Sequence, residues 1–156
     1  MLHRIKSLEK NNGISQANSE KDLSSLADYL GIRLPDDYKS FLLSHNGGVP
    51  TPSNFPLLNH PENILPIQVF FGIETLIVSV SITWNFQAYK DRIPDKFLPI
   101  GCSDFGDLIC LVFSEDDYGC VMFWDLTGER GKDNVDNVYR ICDSFSKFLD
   151  ILTDES

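Results

Sequence analysis

The chain has 156 residues, 42% of them hydrophobic, which suits one globular domain of the common size of roughly 100–200 residues. Thirteen Lys and Arg against 23 Asp and Glu leave a formal charge of −10. That field repels nucleic-acid phosphates and anionic membranes and attracts a basic partner, so a nucleic-acid or membrane-surface binder is not expected.

Residues 1–18 carry Leu2, Ile5 and Leu8 among basic side chains and then break at Asn11-Asn12-Gly13. They read as a tail or a short helix with a turn, and the remaining 19–156 as one domain. Ser19 with Asp22 three residues on has the form of a capping box. Leu23, Leu26, Ala27 and Leu30 follow at helical spacing and Gly31 supplies the stop. In a second helix Pro35 suits the first helical position, and Asp36 and Asp37 favour the positive end of the helix dipole. Tyr38, Phe41, Leu42 and His45 share one face, and Asn46-Gly47-Gly48 ends the helix.

Residues 49–66 hold Pro50, Pro52, Pro56, Pro61 and Pro66, which excludes a regular helix and most central-strand pairing. They read as a packed surface loop with Phe55, Leu57 and Leu58 tucked onto the core. Residues 67–73 read as a buried strand ending at Gly72. Val78, Val80 and Ile82 alternate as in a strand, yet Ile73, Ile77, Val80, Trp84 and Ala88 share a helical stripe. The spacing predicts a helix over 79–90. The apolar stretch at 73–84 is interrupted by Glu74, Thr75, Ser79, Ser81 and Thr83 and is too short and polar to span a bilayer.

Ile93-Pro94 breaks the helix, and Leu98-Pro99-Ile100 begins a short strand. The apolar runs 108–113 and 120–124 flank a hairpin loop with three carboxylates, Glu115, Asp116 and Asp117. Residues 125–136 are polar loop and 138–141 a last short strand. Ser144 or Asp143 caps a final helix whose apolar face is Phe145, Phe148, Leu149 and Leu152. Strands in the middle with helices at both ends indicate an α+β fold.

Chemistry is harder to find. Cys102, Cys110, Cys120 and Cys142 form no C-x-x-C pair and sit in or beside apolar runs, as buried free thiols do. His3, His45 and His60 show no zinc spacing. Asp104-Phe105-Gly106 spells the kinase metal-binding tripeptide without the Gly-rich loop, strand lysine or catalytic loop that give it meaning. The acidic hairpin lacks the alternating ligands and closing Glu of an EF-hand. Asp104 and Asp107 with a cysteine are the only candidates for a small enzyme, and no nucleophile, phosphate-loop or zinc-protease motif supports one. No apolar segment of a signal peptide precedes the domain. A reduced, cytoplasmic, non-enzymatic protein without cofactor or metal is expected.

Four blocks, in order, carry a resemblance. They are Leu30-Gly31-Ile32-Arg33-Leu34-Pro35-Asp36-Asp37-Tyr38-Lys39-Ser40-Phe41-Leu42 with Asn46-Gly47-Gly48; then Tyr89 to Pro94, Phe97-Leu98-Pro99-Ile100-Gly101 and Asp104 to Leu111; then Gly119 to Asp125; and last Ser144-Phe145 with Lys147-Phe148-Leu149. Together they resemble the SUKH superfamily, also known from the Smi/Knr family, over roughly residues 20–152. Pro35, Tyr38, Gly47, Gly48, Pro99, Gly106 and Trp124 are its hallmark positions. Two positions depart from the family pattern. Ala27 stands where a Glu is usual in the first helix, and Leu126-Thr127 follow the Trp-Asp step where His-Glu is frequent. If those groups serve a shared polar pocket in the family, this chain lacks part of it.

The resemblance implies a mixed, mainly antiparallel β-sheet flanked by N-terminal and C-terminal helices, and no enzymatic activity. Many bacterial members are immunity proteins that bind and neutralise a toxin domain, often a nuclease, from a polymorphic or contact-dependent toxin system. The expected partner is therefore a protein toxin domain encoded by a neighbouring gene. Asp104, Glu115, Asp116, Asp117 and Glu129 are the candidate contacts, since carboxylates complement a basic nuclease face. The alternative is a regulatory protein-interaction module of the Smi/Knr type with no toxin partner.

Overall fold

The computed structural model describes residues 4–114 and 116–156. In chain order the elements are β1 (Arg4–Lys6), α1 (Glu20–Leu30), α2 (Asp36–Ser44), β2 (Val49–Thr51), β3 (Asn54–Pro56), β4 (Ile64–Pro66), β5 (Val69–Phe70), α3 (Ile82–Tyr89), β6 (Phe97–Cys102), β7 (Leu108–Val112), β8 (Val121–Trp124), β9 (Val138–Cys142) and α4 (Phe145–Ile151). The uncharged runs of β6, β7 and β8 are central because both their faces are covered, and nearly every side chain in them is buried. They form the middle of a five-stranded sheet of order β5-β6-β7-β8-β9. Every ladder pairing in it is antiparallel, and the one parallel contact among the described residues is an isolated bridge from Gly72 to Ser81. The fold is α+β.

Helices α2 and α4 pack together over one end of this sheet through an aromatic cluster. Phe145 stands edge-on to Tyr38 at 5.1 Å and lies 4.9 Å from Phe41, which in turn meets Phe70 of β5 at 5.3 Å. Such pairs add about 0.5–1.5 kcal/mol each beyond their area burial. The Tyr38 hydroxyl is buried in this cluster without a hydrogen-bond partner among the described residues, and burial drives its pKa far upward. Trp124 is buried on β8, edge-on to Tyr89 of α3 at 5.8 Å. Pro99 sits where the β6–β7 register shifts, an irregularity that accommodates its missing N–H.

Several boundaries differ from the sequence expectation. Residues 4–6 are a strand paired with β2, not a short helix or tail. The proline-rich stretch 49–66 contains three short strands, and Leu58 is 80% exposed while Phe55 and Leu57 are buried. The strand expected over 67–73 shrinks to Val69–Phe70. Helix α3 starts later than the apolar stripe suggested, because the Ser81 hydroxyl accepts the Trp84 N–H from an extended N-cap position after a 3₁₀ turn at Val78–Val80. Leu76, Ile77, Val78 and Trp84 consequently face outward. Pro35 is the N-cap of α2 with ψ 144°, one step before the first helical residue.

Asn46-Gly47-Gly48 does something other than stop a helix. Helix α2 ends at Ser44 with an extended His45 after it. Gly47 and Gly48 have φ of 63° and 125°, and a Cβ would overlap the carbonyl oxygens of Phe70 and Phe71 at Gly47 and of Lys6 at Gly48. Gly48 exchanges backbone hydrogen bonds with Phe70 at 2.8 and 2.9 Å, so the glycines let the β1–β2 ribbon dock onto β5. Asn46 is fully buried beside them. Its Oδ1 accepts from the Ile73 N–H at 2.7 Å and from Asn18 Nδ2 at 3.1 Å, and its Nδ2 donates to the Ile73 carbonyl at 3.0 Å.

Candidate functional site

The connection between β3 and β4 carries His60 over the end of β8 and against the turn between β6 and β7. A cleft of about 540 Å³ opens there, lined by His60, Glu62, Ile64, Leu65, Pro66, Phe105, Asp107, Asp125, Leu126 and Thr127. The His60 ring is held edge-on by Phe123 at 5.5 Å and Tyr139 at 4.9 Å. The Glu62 backbone N–H donates to His60 Nδ1 at 2.9 Å. The ring proton therefore sits on Nε2, which donates to Asp125 Oδ2 at 2.9 Å.

Asp125 is the hub of the cleft. Its Oδ1 accepts from the Thr127 hydroxyl at 2.6 Å and the Thr127 N–H at 3.0 Å. Its backbone is fastened by Asn137, whose Nδ2 donates to the Asp125 carbonyl at 2.9 Å. Burial alone would raise the Asp125 pKa, but the hydrogen bonds from Thr127 and His60 outweigh it and hold the carboxyl below its usual range. Asp107 goes the other way. Burial pushes its pKa up, and Asp125 nearby adds to the rise, against the opposing hydrogen bonds of Leu126 and Ser103. Its Oδ1 accepts the Leu126 N–H at 2.8 Å and its Oδ2 the Ser103 hydroxyl at 3.0 Å. Both aspartates are thus fixed in orientation by main-chain or hydroxyl donors.

With Nε2–H given to Asp125, the one lone pair of the ring lies on Nδ1, and it accepts the Glu62 N–H. The cysteines are equally quiet. Burial raises the pKa of Cys102 and Cys142 to about 11 and pushes Cys110 and Cys120 up as well, so the nucleophilic thiolate is scarce at neutral pH. No group of three or more His, Cys, Asp or Glu among the described residues is arranged to hold a metal ion.

The acidic candidates from the sequence do not form one patch. Asp104 is exposed on the β6–β7 turn, next in sequence to Phe105, which lines the cleft while Asp104 does not. Asp116 and Asp117 lie at the opposite end of β7, whose five residues separate the two groups by roughly 15 Å. Glu115 lies outside the described residues. Asp117 is paired with Arg140 at 3.2 Å. Glu129 is held in a two-pronged bond by Arg92, at 2.7 and 2.8 Å, and this pairing lowers its pKa. His60, Asp125 and Thr127 were missed as a site because His60 and Asp125 are 65 residues apart. The one pointer in the sequence reading was Leu126-Thr127, which it marked as a departure from the resemblance, and both residues line the cleft. Ala27, the other departure, lies on α1 outside the lining.

Residues 17–151 match the SMI1 / KNR4 family (SUKH-1). The SPbeta prophage-derived uncharacterized protein YokK of Bacillus subtilis (strain 168) is 27% identical over 154 residues, covering 88% of this chain and 76% of that protein. The matched stretch holds α1 and α2, the whole five-stranded sheet and the cleft, and the chain belongs to the SMI1 / KNR4 (SUKH-1) family.

Proposed function

We propose that the chain is a non-enzymatic immunity protein that binds and neutralises a toxin domain, a nuclease by preference, encoded beside its own gene. Family membership is the observation that carries this reading. The blocked ring nitrogen of His60 and the suppressed thiols favour binding over chemistry. The net charge of −10 suits a basic partner, since opposite fields speed encounter and disfavour wrong partners. Asp104 and Asp116 are the foremost contacts: both are exposed, and neither makes an ion pair among the described residues. Asp117 and Glu129 are already committed to arginines, so their part is smaller, and Glu115 is kept as a candidate contact from the sequence alone. No helix among the described residues is long and apolar enough to cross a membrane, and action in the cytoplasm follows from this reading.

Co-expression tests it. Cells making the toxin domain of the adjacent gene should survive when this chain is present and die when it is absent. Equal killing by every adjacent toxin with and without the chain would sink the proposal.

A further inference from the structure

We propose that the cleft between the β3–β4 connection and the β6–β7 turn is the docking pocket for one arginine side chain projected by the protein partner. This rests on reading the chain as a binder of proteins and adds the chemistry of the contact. Three acidic residues, Glu62, Asp107 and Asp125, are among those lining the cleft, and no Lys or Arg stands among its described lining residues. The occupant complementary to that lining is a cation.

The second feature is Phe105, a large apolar side chain that lines the cleft and is 80% exposed. A guanidinium is planar, weakly hydrated and stacks on aromatic faces while its donors fork onto carboxylates, whereas an ammonium is a compact, strongly hydrated point charge. An aromatic face beside fixed carboxylates therefore selects arginine over lysine. The molecule already uses this combination internally. The Arg92 guanidinium lies 4.7 Å from the Tyr89 ring centre and 5.7 Å from that of Trp124 while Glu129 takes both of its forked donors.

Acceptor capacity remains in the cleft. An ionised carboxylate offers about four lone-pair sites, and Asp107 spends one hydrogen bond on each oxygen, from Leu126 and from Ser103. Asp125 spends one on Oδ2, from His60. Because these bonds fix both carboxylates before any partner arrives, little side-chain ordering opposes docking. The volume of about 540 Å³ falls within the usual range of binding pockets, roughly 300–1,000 Å³.

The test is a titration of the full chain, labelled with nitrogen-15, with N-acetyl-arginine amide, with the lysine compound and with the neutral isostere N-acetyl-citrulline amide. Saturable shifts of the Phe105, Leu126 and Thr127 amides are expected with arginine, roughly tenfold weaker binding with lysine, and none with citrulline. Phe105→Ala, at an exposed position that leaves folding intact, should weaken arginine binding by about tenfold, and Glu62→Gln should weaken it further. Shifts that are the same for arginine and citrulline, that fall elsewhere, or that ignore Phe105→Ala would overturn the pocket. The same two variants in the toxin co-expression assay separate the two ideas. Full protection by both variants discards the arginine pocket and leaves the immunity reading standing. Arginine binding at Leu126 and Thr127 without protection from any adjacent toxin does the reverse.

Discussion

Asn46 makes the clearest case at the scale of single residues. In sequence it is the first letter of a helix-ending Asn-Gly-Gly, and in the structure it is a fully buried amide pairing with both polar groups of the Ile73 backbone. Asn46→Ala should destabilise the protein by roughly 2–4 kcal/mol, because it strands the buried N–H and C=O of Ile73; urea unfolding would show this as a lowered midpoint. The two cleft aspartates should respond to pH with opposite signs. Asp125 has a lowered folded pKa, so its stabilisation is present above the unfolded value near 3.8 and fades as pH falls through the folded value. Asp107 has a raised folded pKa, so its ionisation costs stability once pH exceeds 3.8. Asp125→Asn should therefore destabilise at pH 7 and lose its effect in acid. Asp107→Asn should be neutral or stabilising at pH 7 and converge with the wild type in acid. Melting curves of both variants between pH 3 and 7 would check the signs.

Among the elements, legibility followed how local the determining physics is. The Ser19–Asp22 capping box is present as spelled, with the Asp22 N–H donating to the Ser19 hydroxyl at 3.1 Å and the Ser19 N–H donating to Asp22 at 2.8 Å. The uncharged runs of β7 and β8 announced strands because both their faces must be apolar, whereas for β6 only a short strand beginning at Leu98 was read. Elements defined by a distant partner were not legible. Strand β1 exists because β2 pairs with it, and β2 sits there because Gly47 and Gly48 permit backbone contact that no side chain would tolerate. Helix α3 was blurred at its start since its apolar stripe runs past the Ser81 cap into residues that face solvent. Gly48→Ala should cost about 1–3 kcal/mol, from φ 125° together with the overlap at the Lys6 carbonyl, measurable as a drop in melting temperature. Leu58→Ala, at an 80% exposed position in the next connection, should change it by less than about 0.5 kcal/mol.

Over the whole molecule, several residues that carried the resemblance are folding determinants: Tyr38 and Trp124 are buried in the core, and Gly47 and Gly48 make the close crossing. The cleft was hidden because it is assembled from chain segments around 60, 105 and 125 whose meeting depends on the finished sheet. The charge of −10 is a property of the same scale. Association with a basic partner should slow markedly as ionic strength rises from about 0.01 to 0.15 M, since the screening length shrinks from about 30 to 8 Å. The most direct test of the account combines binding with function: titrate the purified chain with the toxin domain encoded by the adjacent gene and assay that domain's activity in the same samples. The account predicts a saturable complex in which toxin activity falls in step with occupancy. A toxin that stays fully active in the presence of excess chain, with no complex formed, would contradict it.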